Sequence, residues 1–370
     1  NKIEEVVPDS HIILLSLPTP MDENNIPDYT ALRTVAKQLK NLVTNDSIII
    51  IESTIEPGFV ENEFIKFVEN KERQIIVGKN IGIGVCPETA NPGEIMKDFE
   101  SLPRLVAATD ENTSELIRDI YKHVFPVELI QMPNCKTANA VKLTTNVFRD
   151  VNIAFVNELA LLYDKLGIDI QTVLDAADKK YNFQIHYPGA GVGGPCLPVN
   201  SYQMLNSAKG ISDDLLKMVK ASREINESMP FYVLKLLKNA FTEIDKKIET
   251  SKILILGISY KPNVKDIQLS PAKIIISELK KLGTDIRIFD PFYKSTTVYG
   301  IKTANELEEV ISDVDAAIIV TAHEEFKNIK PEYFSSKMRS PVLIDTRGII
   351  DIHAAEKTGL IFRGLGRGKI

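Results

Sequence analysis

A glycine-rich loop that ends in a cysteine is the segment of this sequence best suited to chemistry. Residues 188–198 read PGAGVGGPCLP, with the cysteine at position 196. Because glycine has no Cβ, such a loop brings the backbone close to a ligand and turns N–H groups toward an anion. The same field favours a thiolate, which makes Cys196 a candidate nucleophile. A surface loop with an incidental cysteine is the alternative that composition leaves open.

A second candidate is a polar stripe on a long predicted helix. Lys142, Asn146 and Arg149 are spaced by four and three residues and therefore share one helix face. An ammonium, an amide and a guanidinium on one face suit contacts to an anionic ligand. A solvated helix face remains the alternative, because the opposite face carries apolar residues such as Val147 and Phe155.

The other two cysteines are expected to be unreactive thiols. Cys86 precedes a proline after a predicted strand, and Cys135 lies in a loop rich in proline and asparagine. Three cysteines without CxxC spacing form neither a disulfide framework nor a zinc site, so no metal is expected. A reducing cytoplasm is the compartment that fits this cysteine usage best.

The elements that must position these residues change character along the chain. The first third alternates strands with helices, which predicts a parallel sheet covered on both faces. A long helix over 139–166, ended by Gly167, opens an all-helical middle with further helices at 170–177 and 213–237. The alternation of strands and helices resumes at residue 252. Exposed apolar residues on the long helix suit a dimer interface.

Bulk composition excludes several classes of protein. A chain of 370 residues suits two or three domains, and 44% hydrophobic with 25% charged residues is typical of a globular protein. The net charge of −6, without a basic block, argues against a nucleic-acid partner. Apolar runs such as 48–51 and 316–320 are strand-sized, so no membrane partner is expected.

A dinucleotide-binding fold normally opens with a strand, a GxGxxG turn and a helix. The first third contains no such unit: the run GIG at 82–84 lies inside a predicted strand, and the glycines of 189–194 are followed by a proline with no helical pattern. Either the fold is not a dinucleotide binder, or the sequence begins part-way into one. The absent initiator Met and the strand at 11–17 favour the second interpretation.

Several further motifs occur in order along the chain. The loop 188–198 and KLTTN at 142–146 are accompanied by LPTP (17–20), EST (52–54), CPE (86–88), GISYKP (257–262), SPA (270–272), FDP (289–291) and DTRG (345–348). In this ordered series the sequence resembles the nucleotide-sugar 6-dehydrogenases. The resemblance covers the whole chain. The GxGxxG unit with which the family's members open has no counterpart in this sequence.

The resemblance implies an α/β protein of three parts. These are a partial N-terminal Rossmann-like NAD-binding domain over 1–135, a helical dimerisation domain over 136–240, and a C-terminal Rossmann-like UDP-sugar-binding domain over 250–370. It also implies a homodimer or a dimer of dimers.

The family's reaction is a four-electron oxidation of a UDP-sugar CH2OH to a carboxylate, with two NAD molecules as hydride acceptors. In that reaction the thiolate of Cys196 would form a thiohemiacetal and then a thioester, which water hydrolyses. Lys142 and Asn146 would stabilise negative charge on the sugar oxygen, and Glu88 would orient or activate water.

Substrate and cofactor contacts also follow from the resemblance. The positions that would contact the UDP-sugar are Arg149, Gly193, Tyr260, Lys261, Arg347, Lys180 and Asn182, and those that would contact NAD are Thr19, Thr54 and Gln268. Three departures qualify these roles. Asn200 replaces the family's usual Asp, Gln268 replaces an Arg near the cofactor phosphate, and Lys180 with Asn182 replace positions rich in His and Arg.

The substrate is expected to be a UDP-2-acetamido sugar. RDVNIAF at 149–155 and NEL at 157–159 resemble the branch of the family that acts on such sugars, whose products enter polysaccharide biosynthesis. We favour UDP-N-acetylmannosamine, followed by UDP-N-acetylglucosamine and UDP-glucose.

Three alternatives differ in class. The polypeptide as written could bind UDP-sugar without turnover, because the cofactor's phosphate turn has no counterpart here. A 3-hydroxyacid or 6-phosphogluconate-type dehydrogenase shares a long-helix middle domain, but those enzymes do not use a cysteine nucleophile. A purely structural role is the least favoured.

Overall fold

The computed structural model describes residues 2–90, 93–212 and 214–368, and the chain divides into two compact units. The first unit comprises residues 1–148 and 199–217, and the second comprises residues 149–198 and 218–370. Each unit contains its own five-stranded β-sheet.

The sheet of the first unit begins with three parallel strands. Its strands follow one another in chain order: β1 (Ile12–Leu15), β2 (Ser47–Ile51), β3 (Ile81–Val85), β4 (Arg104–Ala108) and β5 (Leu129–Gln131). β4 runs antiparallel to β3 and parallel to β5. β2 and β3 are buried along their whole length, as expected for strands covered on both faces.

The second sheet is parallel throughout and has the strand order of a doubly wound fold. Its strands are β6 (Lys252–Leu256), β7 (Asp285–Phe289), β10 (Ala316–Ile319), β11 (Val342–Asp345) and β12 (Ile361–Gly364), and a hairpin of β8 (Thr297–Val298) and β9 (Ile301–Lys302) lies between β7 and β10. The order β12-β11-β10-β6-β7 reverses between β6 and β10. In such sheets ligands bind outside the carboxyl ends of the strands at the reversal point.

Helices flank both sheets. They are α1 (Ile3–Val6), α2 (Thr30–Leu42), α3 (Ile65–Val68), α4 (Ile95–Ser101), α5 (Glu111–Val124), α6 (Cys135–Leu166), α7 (Ile170–Ala177), α8 (Leu197–Ser207), α9 (Lys217–Glu243), α10 (Pro271–Lys281), α11 (Glu308–Ile311), α12 (Glu324–Lys327), α13 (Pro331–Lys337) and α14 (Ile352–Lys357). In the second unit, Val156 of α6 and Leu237 of α9 share one buried core with Ile255 of β6. None of the helices in the described ranges is long and apolar enough to cross a bilayer.

Two glycines inside β3 allow a helix to approach the sheet closely. A Cβ on Gly82 would lie 2.5 Å from the side chain of Thr113, and a Cβ on Gly84 would lie 2.1 Å from that of Ile117. Both neighbours belong to α5. The GIG run lies in a strand, as the sequence predicts, and its two glycines make room for α5.

The predicted α/β class and most predicted elements are confirmed, with five differences. Cys135, predicted to lie in a loop, is the first residue of α6, so this helix begins one turn before the predicted start at 139. A helix, α8, follows Cys196 directly where none was predicted; Pro198 is tolerated because it falls in the first helical turn, where its missing N–H has no partner to lose. Residues 60–64 form a π-helical turn before α3. β4 is antiparallel, whereas the alternation predicted parallel strands. The predicted helix start at Asp213 lies outside the described residues, and α9 begins at Lys217.

Candidate active site

The glycine-rich loop of the second unit packs against two neighbouring segments through positions that only glycine fits. Gly194 has a φ of +88°, and a Cβ there would lie 2.6 Å from the ring of Tyr260. A Cβ on Gly193 would lie 2.5 Å from the carbonyl oxygen of Leu269. The N–H of Gly194 donates to the carbonyl of Gln268 at 2.9 Å. The loop is thus held in one conformation by the segment 266–270 and the tyrosine ring.

Cys196 lies exposed at the end of this loop, immediately before α8. The N-terminus of a helix carries partial positive charge, which stabilises an anion placed there. Cys86 and Cys135 are buried, and burial raises the pKa of each thiol to about 12. Of the three thiols, Cys196 is therefore the one suited to react with a ligand.

A buried polar network is hydrogen-bonded to the start of the glycine-rich loop. The N–H of Gly189 donates to Oδ1 of Asn157 at 2.9 Å, and Nδ2 of Asn157 donates to Oδ1 of Asn226 at 2.9 Å. Nδ2 of Asn226 donates in turn to the carboxylate of Asp150 at 2.8 Å, which also accepts from Arg223 at 2.9 Å. All four residues are less than 5% exposed. The network ties the loop to α6 and α9 without a break.

A small cavity lies at the reversal point of the second sheet. Its lining includes Gly191 of the glycine loop, Tyr260 after β6, Thr321 after β10 and Arg347 after β11. Nη1 of Arg347 donates to the Pro188 carbonyl at 3.4 Å. Burial raises the pKa of Tyr260 to about 12, and the neighbouring Cys196 and Asp266 add to the shift, while Arg149 opposes it.

The loop that carries Arg347 is held by a buried carboxylate. Asp345, at the end of β11, accepts hydrogen bonds from the N–H groups of Arg347, Gly348 and Ile350 at 2.8–2.9 Å. A cation is therefore presented beside the glycine loop at the edge where a sheet of this order binds its ligand. The structure thus brings Gly193, Cys196, Tyr260 and Arg347 together within the second unit.

The first unit assembles a different group of the predicted residues. Lys142 is buried and Asn146 half-buried on α6. Nδ2 of Asn146 donates to Oδ1 of Asn200 at 2.5 Å, Nδ2 of Asn200 donates to Oε1 of Gln203 at 3.0 Å, and Nε2 of Gln203 donates to the carbonyl of Thr54 at 3.1 Å. This hydrogen-bonded chain connects the predicted catalytic Asn146 to the carboxyl end of β2.

Predicted cofactor contacts and Glu88 lie at the same edge of the first sheet. Oγ1 of Thr19 donates to the carbonyl of Thr54 at 2.8 Å. Glu88 follows β3, its N–H donates to the Glu52 carbonyl at 3.3 Å, and its carboxylate accepts from the N–H of Ala90. Because β1, β2 and β3 are parallel, the segments that follow them share one edge.

Comparison with known proteins identifies the family. Residues 1–125 match the NAD binding domain of the UDP-glucose/GDP-mannose dehydrogenase family, residues 136–228 its central domain, and residues 254–352 its UDP binding domain. The UDP-N-acetyl-D-mannosamine dehydrogenase of Methanocaldococcus jannaschii is 31% identical over 374 residues, which span 100% of this chain and 82% of the relative. The chain belongs to the UDP-glucose/GDP-mannose dehydrogenase family.

Two further relatives agree with that membership. The solved structure of the UDP-N-acetyl-D-mannosamine dehydrogenase of Pyrococcus horikoshii superposes with a TM-score of 0.91 at 31% identity, covering 100% of this chain and 84% of that one. The UDP-N-acetyl-D-glucosamine 6-dehydrogenase of Salmonella typhi is 30% identical over 331 residues, 89% of this chain and 77% of the relative. As a member of the dehydrogenase family, the chain is an oxidoreductase that uses a nicotinamide cofactor.

Most of the other predicted residues of this dehydrogenase are exposed. Lys180 and Asn182 are exposed in the turns after α7, and Arg149 and Gln268 are exposed in the second unit. Lys261 is half-buried beside Tyr260. Their roles in ligand binding remain predictions. Sequence reasoning missed Gln203 and Asn226, because a buried amide at a helical position carries no motif that distinguishes it from a solvated one.

Proposed function

We propose that this dehydrogenase oxidises the C6 hydroxymethyl group of UDP-N-acetylmannosamine to a carboxylate, with Cys196 as the nucleophile. The observation that carries the proposal is the exposed thiol of Cys196 at the end of a glycine loop that packs against Tyr260 and lies beside Arg347. A thiol next to a cationic nucleotide crevice suits an oxidation that passes through a covalent adduct.

The nucleotide is proposed to bind at the reversal point of the second sheet. Arg347 and Lys261 supply cations for a diphosphate, and a guanidinium can contact two phosphate oxygens at once. Arg149, Lys180 and Asn182 are assigned to the same ligand by resemblance alone. A 6-phosphogluconate-type activity is the weaker candidate, because it has no use for a thiol at the end of the glycine loop.

The covalent role of Cys196 is proposed for the second oxidation. Loss of a hydride and a proton converts the alcohol to an aldehyde, and the thiolate then adds to the aldehyde carbon to give the anion of a thiohemiacetal. Loss of a second hydride from this anion gives a thioester, and water cleaves its C–S bond to release the carboxylate, the thiol and a proton. Two cofactors are reduced and one water is consumed for each sugar.

Lys142 and Asn146 are proposed as donors to the sugar oxygen as its negative charge develops. A compact ammonium and an oriented amide act most strongly when they are held before the reaction. Both lie on α6, and Asn146 is already oriented by Asn200. Glu88 is proposed to orient the hydrolytic water, for which its carboxylate would have to leave the N–H of Ala90.

The cofactor is proposed to be NAD, bound at the carboxyl edge of the first sheet. The hydroxyls of Thr19 and Thr54 follow parallel strands there and fit the polar groups of a dinucleotide. By resemblance alone, Gln268 takes the place of an arginine near a cofactor phosphate, and a neutral amide would attract that phosphate less. When bound, the nicotinamide ring accepts the hydride.

An acetamido sugar is the proposed substrate class. Relatives that share about 31% of their residues over the whole chain are named for UDP-N-acetyl-D-mannosamine, and one at 30% is named for UDP-N-acetyl-D-glucosamine. UDP-N-acetylglucosamine is therefore the second candidate substrate, followed by UDP-glucose. Binding of UDP-sugar without turnover is the alternative function.

The enzyme is also proposed to work as a homodimer, or as a dimer of dimers, in the cytoplasm. Phe148, Phe155 and Leu162 recur every seven residues along α6, and each is about half exposed. Such a stripe on a long helix suits burial against a second copy of the chain.

The experiment that tests the thiol compares Cys196→Ser with Cys86→Ser. With UDP-N-acetylmannosamine and NAD, we expect Cys196→Ser to lose uronate formation while calorimetry still detects UDP-sugar binding. The Cys86→Ser control should keep turnover. Full uronate production by Cys196→Ser would remove this thiol from the mechanism, and turnover of UDP-glucose alone would reassign the substrate.

A further inference from the structure

The chain of side-chain amides from Asn146 to Thr54 has a fixed direction. A backbone carbonyl can only accept, so the end of Gln203 that faces Thr54 at 3.1 Å must be its NH2 group. Oε1 of Gln203 then faces Asn200 and must accept from the Asn200 NH2 group. Oδ1 of Asn200 is left to accept from Asn146. Amide orientations are usually ambiguous, but this one is anchored by a group that cannot reverse its role.

The carbonyl oxygen of Thr54 accepts two hydrogen bonds. The Thr54 carbonyl oxygen accepts from Gln203 and also from Oγ1 of Thr19 at 2.8 Å, which occupies both of its lone pairs. Asn200 is 3% exposed and Gln203 is fully buried, so water does not compete for these groups. Reversing any amide in the chain would place two acceptors, or two donors, against each other in a buried site.

We propose that Asn200 and Gln203 are positioning residues of this site, which hold the Asn146 amide by a neutral relay. Gln203 accepts a hydrogen bond from the NH2 group of Asn200. The oxygen of Asn200 therefore faces Asn146 and accepts its hydrogen bond, as the oxygen of an aspartate would. No titratable proton acceptor then lies at position 200. The inference rests on the proposed role of Asn146 as a donor to the sugar oxygen, and it deepens that role.

The relay makes a specific prediction for Asn200→Asp. An ionised carboxylate at this position still accepts from Asn146, but its second oxygen opposes Oε1 of Gln203. When the carboxyl group is protonated, its O–H can donate to Gln203, and the original pattern is restored. Burial raises the pKa of a carboxyl group, so the deficit of the variant should be present at high pH and disappear as the pH falls.

The matched control is Gln203→Met, which breaks the relay without adding a titratable group. Its deficit relative to wild type should not change with pH. Titratable groups beside the relay include Tyr29, which is hydrogen-bonded to Gln203, and Glu56, which accepts from Asn206 at 2.6 Å. Lys142 lies one helical turn before Asn146 on α6. Because these groups are common to all three proteins, comparison with wild type at each pH removes their contribution.

The experiment measures kcat, KM for the UDP-sugar and the melting temperature of the full-length protein between pH 5 and pH 8. At pH 8 we expect both variants to lose about tenfold in kcat, the cost of one misdirected hydrogen bond, with KM changed less than twofold. At pH 5, Asn200→Asp should recover toward wild type while Gln203→Met does not.

Three outcomes would overturn the relay: wild-type kcat and melting temperature for Asn200→Asp at pH 8, a deficit of that variant that does not vary with pH, or an unchanged kcat in Gln203→Met. If Asn200→Asp does not fold, the kcat of Gln203→Met decides. If the wild-type protein oxidises no UDP-sugar, the proposed function fails, and the melting temperatures still test the relay on their own.

Discussion

Removing the amide of Asn157 should destabilise the protein far more than its short side chain suggests. In Asn157→Ala the N–H of Gly189 loses its acceptor, and Oδ1 of Asn226 loses its donor. Each buried group left without a partner costs about 1–3 kcal/mol. Because Asn157 is fully buried, water cannot replace the amide readily. We therefore expect the free energy of unfolding to fall by about 4 kcal/mol.

Asn157→Asp separates the loss of hydrogen bonds from the loss of volume. The carboxylate keeps the shape of the amide and still accepts from Gly189, but it turns an acceptor toward Oδ1 of Asn226. Asn226 cannot rotate to compensate, because its Nδ2 already donates to the carboxylate and the carbonyl of Asp150. This variant should therefore lose stability as well, although it creates no cavity.

Urea denaturation followed by circular dichroism measures both variants, with free energies taken from linear extrapolation. The control is Glu158→Ala, an exposed position next in sequence on α6, which should change stability by less than about 0.5 kcal/mol. Alkylation of Cys196 in the native protein gives a second readout, since a loosened loop should change its rate. A loss below about 1 kcal/mol in Asn157→Ala would show that the network does not hold the loop.

Three further predictions address the loop, acid stability and assembly. Gly194→Ala should lower the free energy of unfolding by about 2–4 kcal/mol, because it adds a clash with Tyr260 to the strain of a positive φ. Gly283→Ala, with a φ of +81° and no atom within 4 Å, should lower it by about 1 kcal/mol. Equal losses for the two variants in urea denaturation would contradict the clash. Burial opposes ionisation of Asp290, but hydrogen bonds from His323 and backbone N–H groups outweigh it and hold the pKa of Asp290 below its ordinary value. Ionised Asp290 therefore stabilises the fold fully above the unfolded pKa of about 4, and this stabilisation is lost as the pH falls through the lower folded pKa. Asp290→Asn should reduce the dependence of the free energy of unfolding on pH in this acid range. An unchanged dependence between pH 5 and pH 2 would contradict this. Phe155→Asp should convert a dimer to a monomer in light scattering, with Glu158→Ala as the control, and a wild-type protein that is already monomeric at micromolar concentration would refute the interface.

Much of the fold could be predicted because its signals are local. The strands Ser47–Ile51, Asp285–Phe289 and Val342–Asp345 each centre on branched apolar residues, which are a local signal for a strand. α8 was missed because its first turn carries a proline, which usually indicates the end of a helix, yet is tolerated at the start of one. The antiparallel direction of β4 was missed because a single strand carries no signal for the direction of its neighbour.

The candidate site could be proposed from the sequence where motifs and chemistry coincide, but not where it depends on buried partners. Cys196 and the glycine loop stand out in one line of sequence. The partners of Asn200 do not, since the bond to Gln203 depends on helix geometry that the sequence did not predict. An asparagine at 200 leaves that position uncharged. The sequence does not reveal that Gln203, one turn later, accepts from the Asn200 NH2 group and leaves its oxygen to accept from Asn146.

The hydrogen bond between Asn200 and Gln203 also constrains how the gene can change. An exchange of Asn200 for aspartate, or of Gln203 for an apolar residue, is a single step that leaves a buried group facing the wrong partner. A lineage that replaces Asn200 by aspartate must therefore either pass through a less fit single variant or change the codons of Asn200 and Gln203 together. Natural variation at these two positions, one helical turn apart, should be inherited as a unit, so that the identity of one residue forecasts the other in any newly found member of the lineage.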